Sequence, residues 1–231
     1  MPEANASPSV AELFTKPETE RAFIQGDRDP QGQMREAALA IGKLLNERGW
    51  EANLGAYGGF VQLVEQSGVP IHPHTMVSEK PLQFNEQGSA ALDAGAAAKQ
   101  LLGEGATPEQ IKEAAWGVRM ALFITNSEGF VFFPGTRGTR AHLLAVLAFN
   151  LVTDRPKPVA LVGWNEGQPN LQESPPDSLP DQEEAWLKTF AQELERENPT
   201  WLKRFNVDEP GAAVAFVTSQ GRRPASAEQA Q

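Results

Sequence analysis

The chain has 231 residues, with 30 acidic against 20 basic side chains and a formal net charge of −10. That balance argues against nucleic acid as a partner, because phosphate neutralisation needs a basic face. The absence of cysteine excludes disulfides, thiolate metal sites and a thiol nucleophile.

Residues 1–19 are rich in Pro, Ser, Glu and Ala and read as a flexible tail. They lack the basic start and apolar run of a signal peptide, so a soluble cytoplasmic protein is expected. "RAFIQG" (21–26) reads as a short strand. In the following helix Met34, Ala37, Ala38, Ile41, Leu44 and Leu45 form a stripe at helical spacing, closed by Gly49. "EANLGAYGG" (51–59) is a strand running into a glycine turn, and "VPIHPH" (69–74) is a third strand. The Ala-rich segment 89–105 is helical. Thr107 caps the next helix, with Pro108 at its first position.

"GFVFF" (129–133) is a continuous apolar run, as in a strand buried on both faces. "AHLLAVLAFNLV" (141–152) is apolar on nearly all sides and predicts a largely buried helix. "KPVALVG" (157–163) is another buried strand. "SPPDSLPD" (174–181) predicts a surface loop, "DQEEAWLKTFAQELERE" (181–197) an amphipathic helix, and residues 220–231 a second tail. Strands alternate with helices between residues 20 and 219. That predicts a single Rossmann-like α/β domain: a doubly wound, mostly parallel sheet with helices on both faces.

Ligands of such sheets sit beyond the carboxyl ends of the strands, so three turns matter. In "QGDRDP" Gly26 permits close backbone approach, while Asp27 and Asp29 oppose an anion or cap the helix. "LGAYGGF" places Gly55, Gly58 and Gly59 together but fails the spacing of a dinucleotide fingerprint. "FFPGTRGTRAH" is the strongest. Gly135 and Gly138 let the chain turn, Thr136, Thr139 and the first helical amides offer donors to phosphate, and Arg137 and Arg140 add charge.

These turns, in this order, resemble the LOG (LONELY GUY-like) family. "FIQGDRDP" is similar to its opening strand and turn. "ERGWEANLGAYGGFVQ" resembles its glycine-rich second turn, "PGTRGTRAHLLAVL" its PGGxGTxxE signature and "DRPKPVALVGW" the strand that follows. The resemblance runs from about Arg21 to about Ser219. It implies a Rossmann-like homodimer that cleaves nucleoside 5'-monophosphates to base and ribose 5-phosphate, with no metal and no cofactor. It also implies a phosphate-binding signature loop and a catalytic Arg–Glu pair.

Residue by residue, Arg119 falls at the family arginine, with Met120 where a lysine is usual. Gly135, Gly138 and Thr139 match the signature, whereas Thr136 replaces a glycine. His142 stands at the glutamate position. In the second turn Gly55, Gly58 and Gly59 match, Ala56 and Tyr57 replace glycines, and Gln62 replaces a common Glu.

Breaking an N-glycosidic bond builds positive charge on the ribose, and a carboxylate stabilises that charge and activates water. A neutral imidazole supplies no negative charge, and a protonated one opposes the cation. The expectation is therefore a nucleotide- or phosphate-ligand-binding homodimer with weak or absent hydrolysis, without nucleic-acid or membrane partners. One alternative is an active phosphoribohydrolase using Arg119 and His142. Another is a pterin or molybdenum-cofactor type of carrier, or a purely structural dimer. Arg119 has a second reading as a salt-bridge partner of Glu113 or Glu128. His72, His74 and His142 could together form a metal site. An exposed pair of histidines beside Pro73 is the simpler account, so no metal is expected. Trp116, Trp186 and Trp201 are assigned to helix packing, and Trp164 to the pocket mouth.

Overall fold

The computed structural model describes residues 10–27, 29–55, 59–75, 92–135, 137–164, 194, 196–197 and 199–219. The elements are α1 (Val10–Leu13), β1 (Arg21–Gln25), α2 (Gly32–Glu47), β2 (Glu51–Gly55), α3 (Gly59–Gln66), β3 (Ile71–Thr75), β4 (Leu92–Asp93), α4 (Ala94–Leu102), α5 (Pro108–Thr125), β5 (Gly129–Phe132), α6 (Arg137–Val152), β6 (Val159–Val162), β7 (Leu202–Phe205) and α7 (Pro210–Thr218). The seven strands form one sheet in the order β4-β3-β2-β1-β5-β6-β7, and every pairing is parallel. The expected doubly wound α/β architecture is the one found.

Alternation along the strands divides the core in two. Ala22, Ile24, Ala52, Leu54, Val131 and Phe133 face α2, α3 and α7. Phe23, Phe130 and Phe132 face the opposite way and pack with Phe123 of α5 and with Leu143, Val146 and Leu147 of α6. On that second side α4 lies on α5 through Ala94, Ala97 and Ala98 against Ala115, Val118 and Leu122. Within the segment read as a tail, Phe14 packs on the α4–α5 cluster and Lys16 pairs with Glu128 at 3.0 Å.

The first side packs tightly where α7 crosses β5. A Cβ on Gly129 would lie 2.5 Å from Val217 Cγ1 and 3.1 Å from the Val217 carbonyl oxygen. Gly129→Ala is therefore expected to destabilise the fold by about 1–3 kcal/mol through overpacking. A drop in the urea midpoint with an unchanged m-value would show it.

Several contacts fix α5, the helix that matters most for the site. Its start carries the expected cap as a full capping box, with Thr107 accepting from the Gln110 amide and Gln110 accepting from the Thr107 amide. At its other end Lys157 Nζ donates to the carbonyls of Ile124 and Ser127, both at 2.6 Å. A cation there complements the helix dipole, although burial lowers the lysine's pKa. Buried Asn53 of β2 donates from Nδ2 to the Asn126 carbonyl and to Ser127 Oγ, both at 2.8 Å.

Candidate functional site

The chain leaves β1 for β2 on one side and leaves β5 for β6 on the other, although β1 and β5 are neighbours. Their carboxyl-end turns diverge, and this is the switch point where open α/β sheets hold ligands. The two turns are interlocked. Thr139 Oγ1 donates to the Gly26 carbonyl at 3.1 Å. A Cβ on Gly26 would lie 2.8 Å from Phe60 Cε2, and one on Gly135 would meet the Thr139 side chain and, at 2.9 Å, the Gly26 carbonyl carbon. Both glycines are therefore required by close approach of the chain to itself.

Thr139 was expected to offer its hydroxyl to a ligand. In the structure that proton is directed at Gly26 and the residue is fully buried. Gly138 was expected to bend the turn, but it lies inside the first turn of α6. The first amide groups of any helix lack partners within it, and α6 begins at this end of the sheet. Gly59 begins α3, while Gly58 and Thr136 lie outside the described residues, as do Ala56 and Tyr57. Neither Asp27 nor Asp29 caps α2, whose N-cap is Gln31 without a side-chain bond.

Arg119 projects from α5 onto the carboxyl end of β2. It is 3% exposed. Its guanidinium lies over the Phe123 ring, 5.1 Å from the centroid, and its Nη2 would be 2.5 Å from a Cβ on Gly55. Gln25 Oε1, at the end of β1, is close to the same point. Glu128, considered above as a partner for Arg119, pairs with Lys16 instead. Gly55→Ala is expected to push the guanidinium out of this seat. Displacing that buried charge should lower the melting temperature, and a thermal melt of the variant measures it.

His142 lies on the first face of α6 that meets the sheet, and it is 2% exposed. Its ring is enclosed by Phe23, Phe123 and Trp116, with centroids 5.7, 5.3 and 5.3 Å away. Burial, then the Arg119 charge, pushes its pKa down to about 3, against a smaller opposite pull from the Gly138 carbonyl. That carbonyl leans toward the ring without closing a well-formed hydrogen bond, and both ring nitrogens are buried. His74, one residue before the end of β3, is in the same condition. It is 2% exposed, 4.7 Å from the Phe123 ring, with its pKa lowered to about 3 by burial and then by Arg119.

The structure therefore brings Gln25, Gly26, Gly55, His74, Arg119, Gly135, Thr139 and His142 to one end of the sheet. His74 and Gln25 were not among the expected site residues. The signal for His74 was the alternation in "IHPHT", which puts two imidazoles on the face that also carries Asn53 and Gly55. His72 points to the far end, where its Nε2 is 2.6 Å from Glu51 Oε2 and Arg21 Nε donates to the same oxygen at 2.8 Å. Among the described residues no three His, Cys, Asp or Glu side chains converge as a metal site. Trp164 lies across the end of β5, donating from Nε1 to the Phe132 carbonyl at 2.9 Å. Trp201 is buried just ahead of β7, outside any helix, and Trp186 falls outside the described residues.

No family model and no curated protein matches this sequence. Solved structures with a similar fold include the molybdenum cofactor carrier protein of Chlamydomonas reinhardtii, 15% identical, with a TM-score of 0.48 over 87% of this chain and 99% of that one. TM1055, a structural-genomics target, is 19% identical, with a TM-score of 0.41 over 62% and 73%. DNA processing protein A of Helicobacter pylori, described with single-stranded DNA, is 10% identical, with a TM-score of 0.42 over 80% and 84%. All are likenesses of fold. No helix among the described residues is long and apolar enough to cross a membrane.

Proposed function

We propose that this chain is a LOG-like protein that binds a phosphorylated small molecule, a nucleotide or sugar phosphate, and that it hydrolyses N-glycosidic bonds weakly or not at all. The observation that carries this reading is the state of His142. At the position where the resemblance calls for a carboxylate stands a neutral imidazole, sealed among aromatic rings. It offers no negative charge to an oxocarbenium-like ribose, and removal of such an electrostatic group slows chemistry by about 100- to 1,000-fold.

The binding half of the reading rests on Arg119 and on the turns at Gly26 and Gly135. A cation, the opening of α6 and backbone free of side chains meet at the switch point, which suits phosphate. The formal charge of −10 disfavours a nucleic-acid backbone as the occupant. Dimerisation belongs to the same proposal. At the C-terminal end of α6, a helix expected to be largely buried, Leu151 and Val152 are 48% and 84% exposed.

The test is a thermal melt with and without millimolar ribose 5-phosphate and AMP, alongside an assay for released base. A raised melting temperature without base release supports the proposal. Steady base release, lost in His142→Ala, would establish the active-hydrolase alternative. No shift with any phosphate compound would remove the binding reading. Light scattering of the same sample reports the dimer.

A further inference from the structure

We infer that Trp116 is the platform on which a flat heteroaromatic part of the ligand stacks, and that His142 is the positioning residue that holds its indole in place. This rests on the phosphate-binding reading above and adds the group that recognises the rest of the ligand.

Trp116 is one turn before Arg119 on α5, about 4.5 Å along the axis. Because α5 runs against the strands, this step leads outward from the strand ends toward the mouth of the crevice. The indole is 38% exposed, unlike the other rings of the cluster. One face rests on His142, with centroids 5.3 Å apart and planes 31° from parallel. Below, His142 is wedged by the rings of Phe23 and Phe123 at 59° and 75°. The imidazole therefore cannot turn freely, and the indole above it is held flat and ready. Burial keeps His142 uncharged, so it packs as an aromatic ring. A carboxylate at the same place would leave the indole without this support.

His74 Nδ1 and both nitrogens of His142 are buried polar atoms on side chains that are 2% exposed, and they lie beside the Arg119 seat. A planar ring stacked on the exposed part of Trp116, with its phosphate toward Arg119 one turn further along α5, fits the platform and the cation together.

Stacking of a base on an aromatic side chain contributes enough to change affinity roughly ten- to hundredfold. Isothermal titration with AMP and with ribose 5-phosphate, on wild type, Trp116→Ala, Trp116→Phe and His142→Phe, tests the inference. Wild type should bind AMP at least tenfold more tightly than ribose 5-phosphate, with quenching of tryptophan fluorescence. Trp116→Ala should lose that advantage while weakening ribose 5-phosphate less than threefold. Trp116→Phe and His142→Phe should keep most of it, because each preserves a flat ring. Equal affinities for the two compounds in wild type, or equal weakening of both in Trp116→Ala, would overturn the platform and leave phosphate binding standing. If neither compound binds wild type, both readings fall together.

Discussion

Lowering the pH from 7.5 to 5 is expected to remove about 4 kcal/mol of folding stability, about 2 kcal/mol from each of two histidines. The folded-state pKa values of His74 and His142 lie near 3, below the ordinary value of 6.5, because both imidazoles are buried and Arg119 repels their charged forms. Below pH 6.5 the unfolded chain takes up a proton at each histidine and the folded chain does not. Stability is therefore complete above pH 6.5, and is lost progressively as pH falls toward 3. His72 acts in the same direction, lowered by burial and by Arg21 against the pull of Glu51. Burial of Glu51 is outweighed by the Arg21 hydrogen bond and the neighbouring charges, so its carboxyl is held below the ordinary value. Its contribution disappears only below the carboxylate range, which leaves the window from pH 7.5 to 5 to the histidines. Urea unfolding at half-unit pH steps measures the slope. The double variant His74→Leu/His142→Phe should flatten most of it. An equal slope in that variant would show that the imidazoles are not buried as described.

Much of the fold was legible because the strands carry their faces in the sequence. "RAFIQG", "GFVFF" and "KPVALVG" each carry a short apolar run, and the helix stripe from Met34 to Leu45 has a single period. β7 escaped notice because Lys203 and Arg204 interrupt it, as suits a strand at the sheet edge with its outward groups exposed. α7 escaped for the opposite reason. "PGAAVAFVT" has no polar stripe to give a period, and its role is read only from the way it covers β5 and β6. β4, with two residues, is too short for any periodic signal.

The candidate site was legible in outline and not in its chemistry. The glycines of the turns could be read from the sequence, and Arg119 was singled out by the resemblance to the LOG signature. Nothing in "GTRAH" shows that Thr139 turns its proton to Gly26, or that Phe23 and Phe123, more than a hundred residues apart in one case, close around His142. Those facts depend on sheet order, which places β1 beside β5. The histidine pair in "IHPHT" was misread as exposed because proline signals a turn. Here Pro73 occupies a strand whose neighbours on both sides pair in parallel.

Arg119→Met is expected to abolish the response to phosphate ligands, weakening ribose 5-phosphate by roughly hundredfold, about 3 kcal/mol, when one partner of a buried charge pair is removed. Stability without ligand should move much less, by about 1 kcal/mol in either direction. Met removes a charge that is expensive to bury and keeps an unbranched apolar stem against Phe123 and Gly55. Arg119→Lys should recover only part of the affinity, because an ammonium group lacks the planar fork that spans two phosphate oxygens. The acid slope gives an internal control. Desolvation is the larger cause of the lowered histidine pKa values and the Arg119 charge the smaller, so Arg119→Met should keep most of the loss between pH 7.5 and 5. A variant that loses ligand binding while keeping both its melting temperature and its acid slope would place Arg119 at the ligand. A variant that unfolds, or whose acid slope vanishes together with its binding, would mean that Arg119 acts by holding α5 against the sheet.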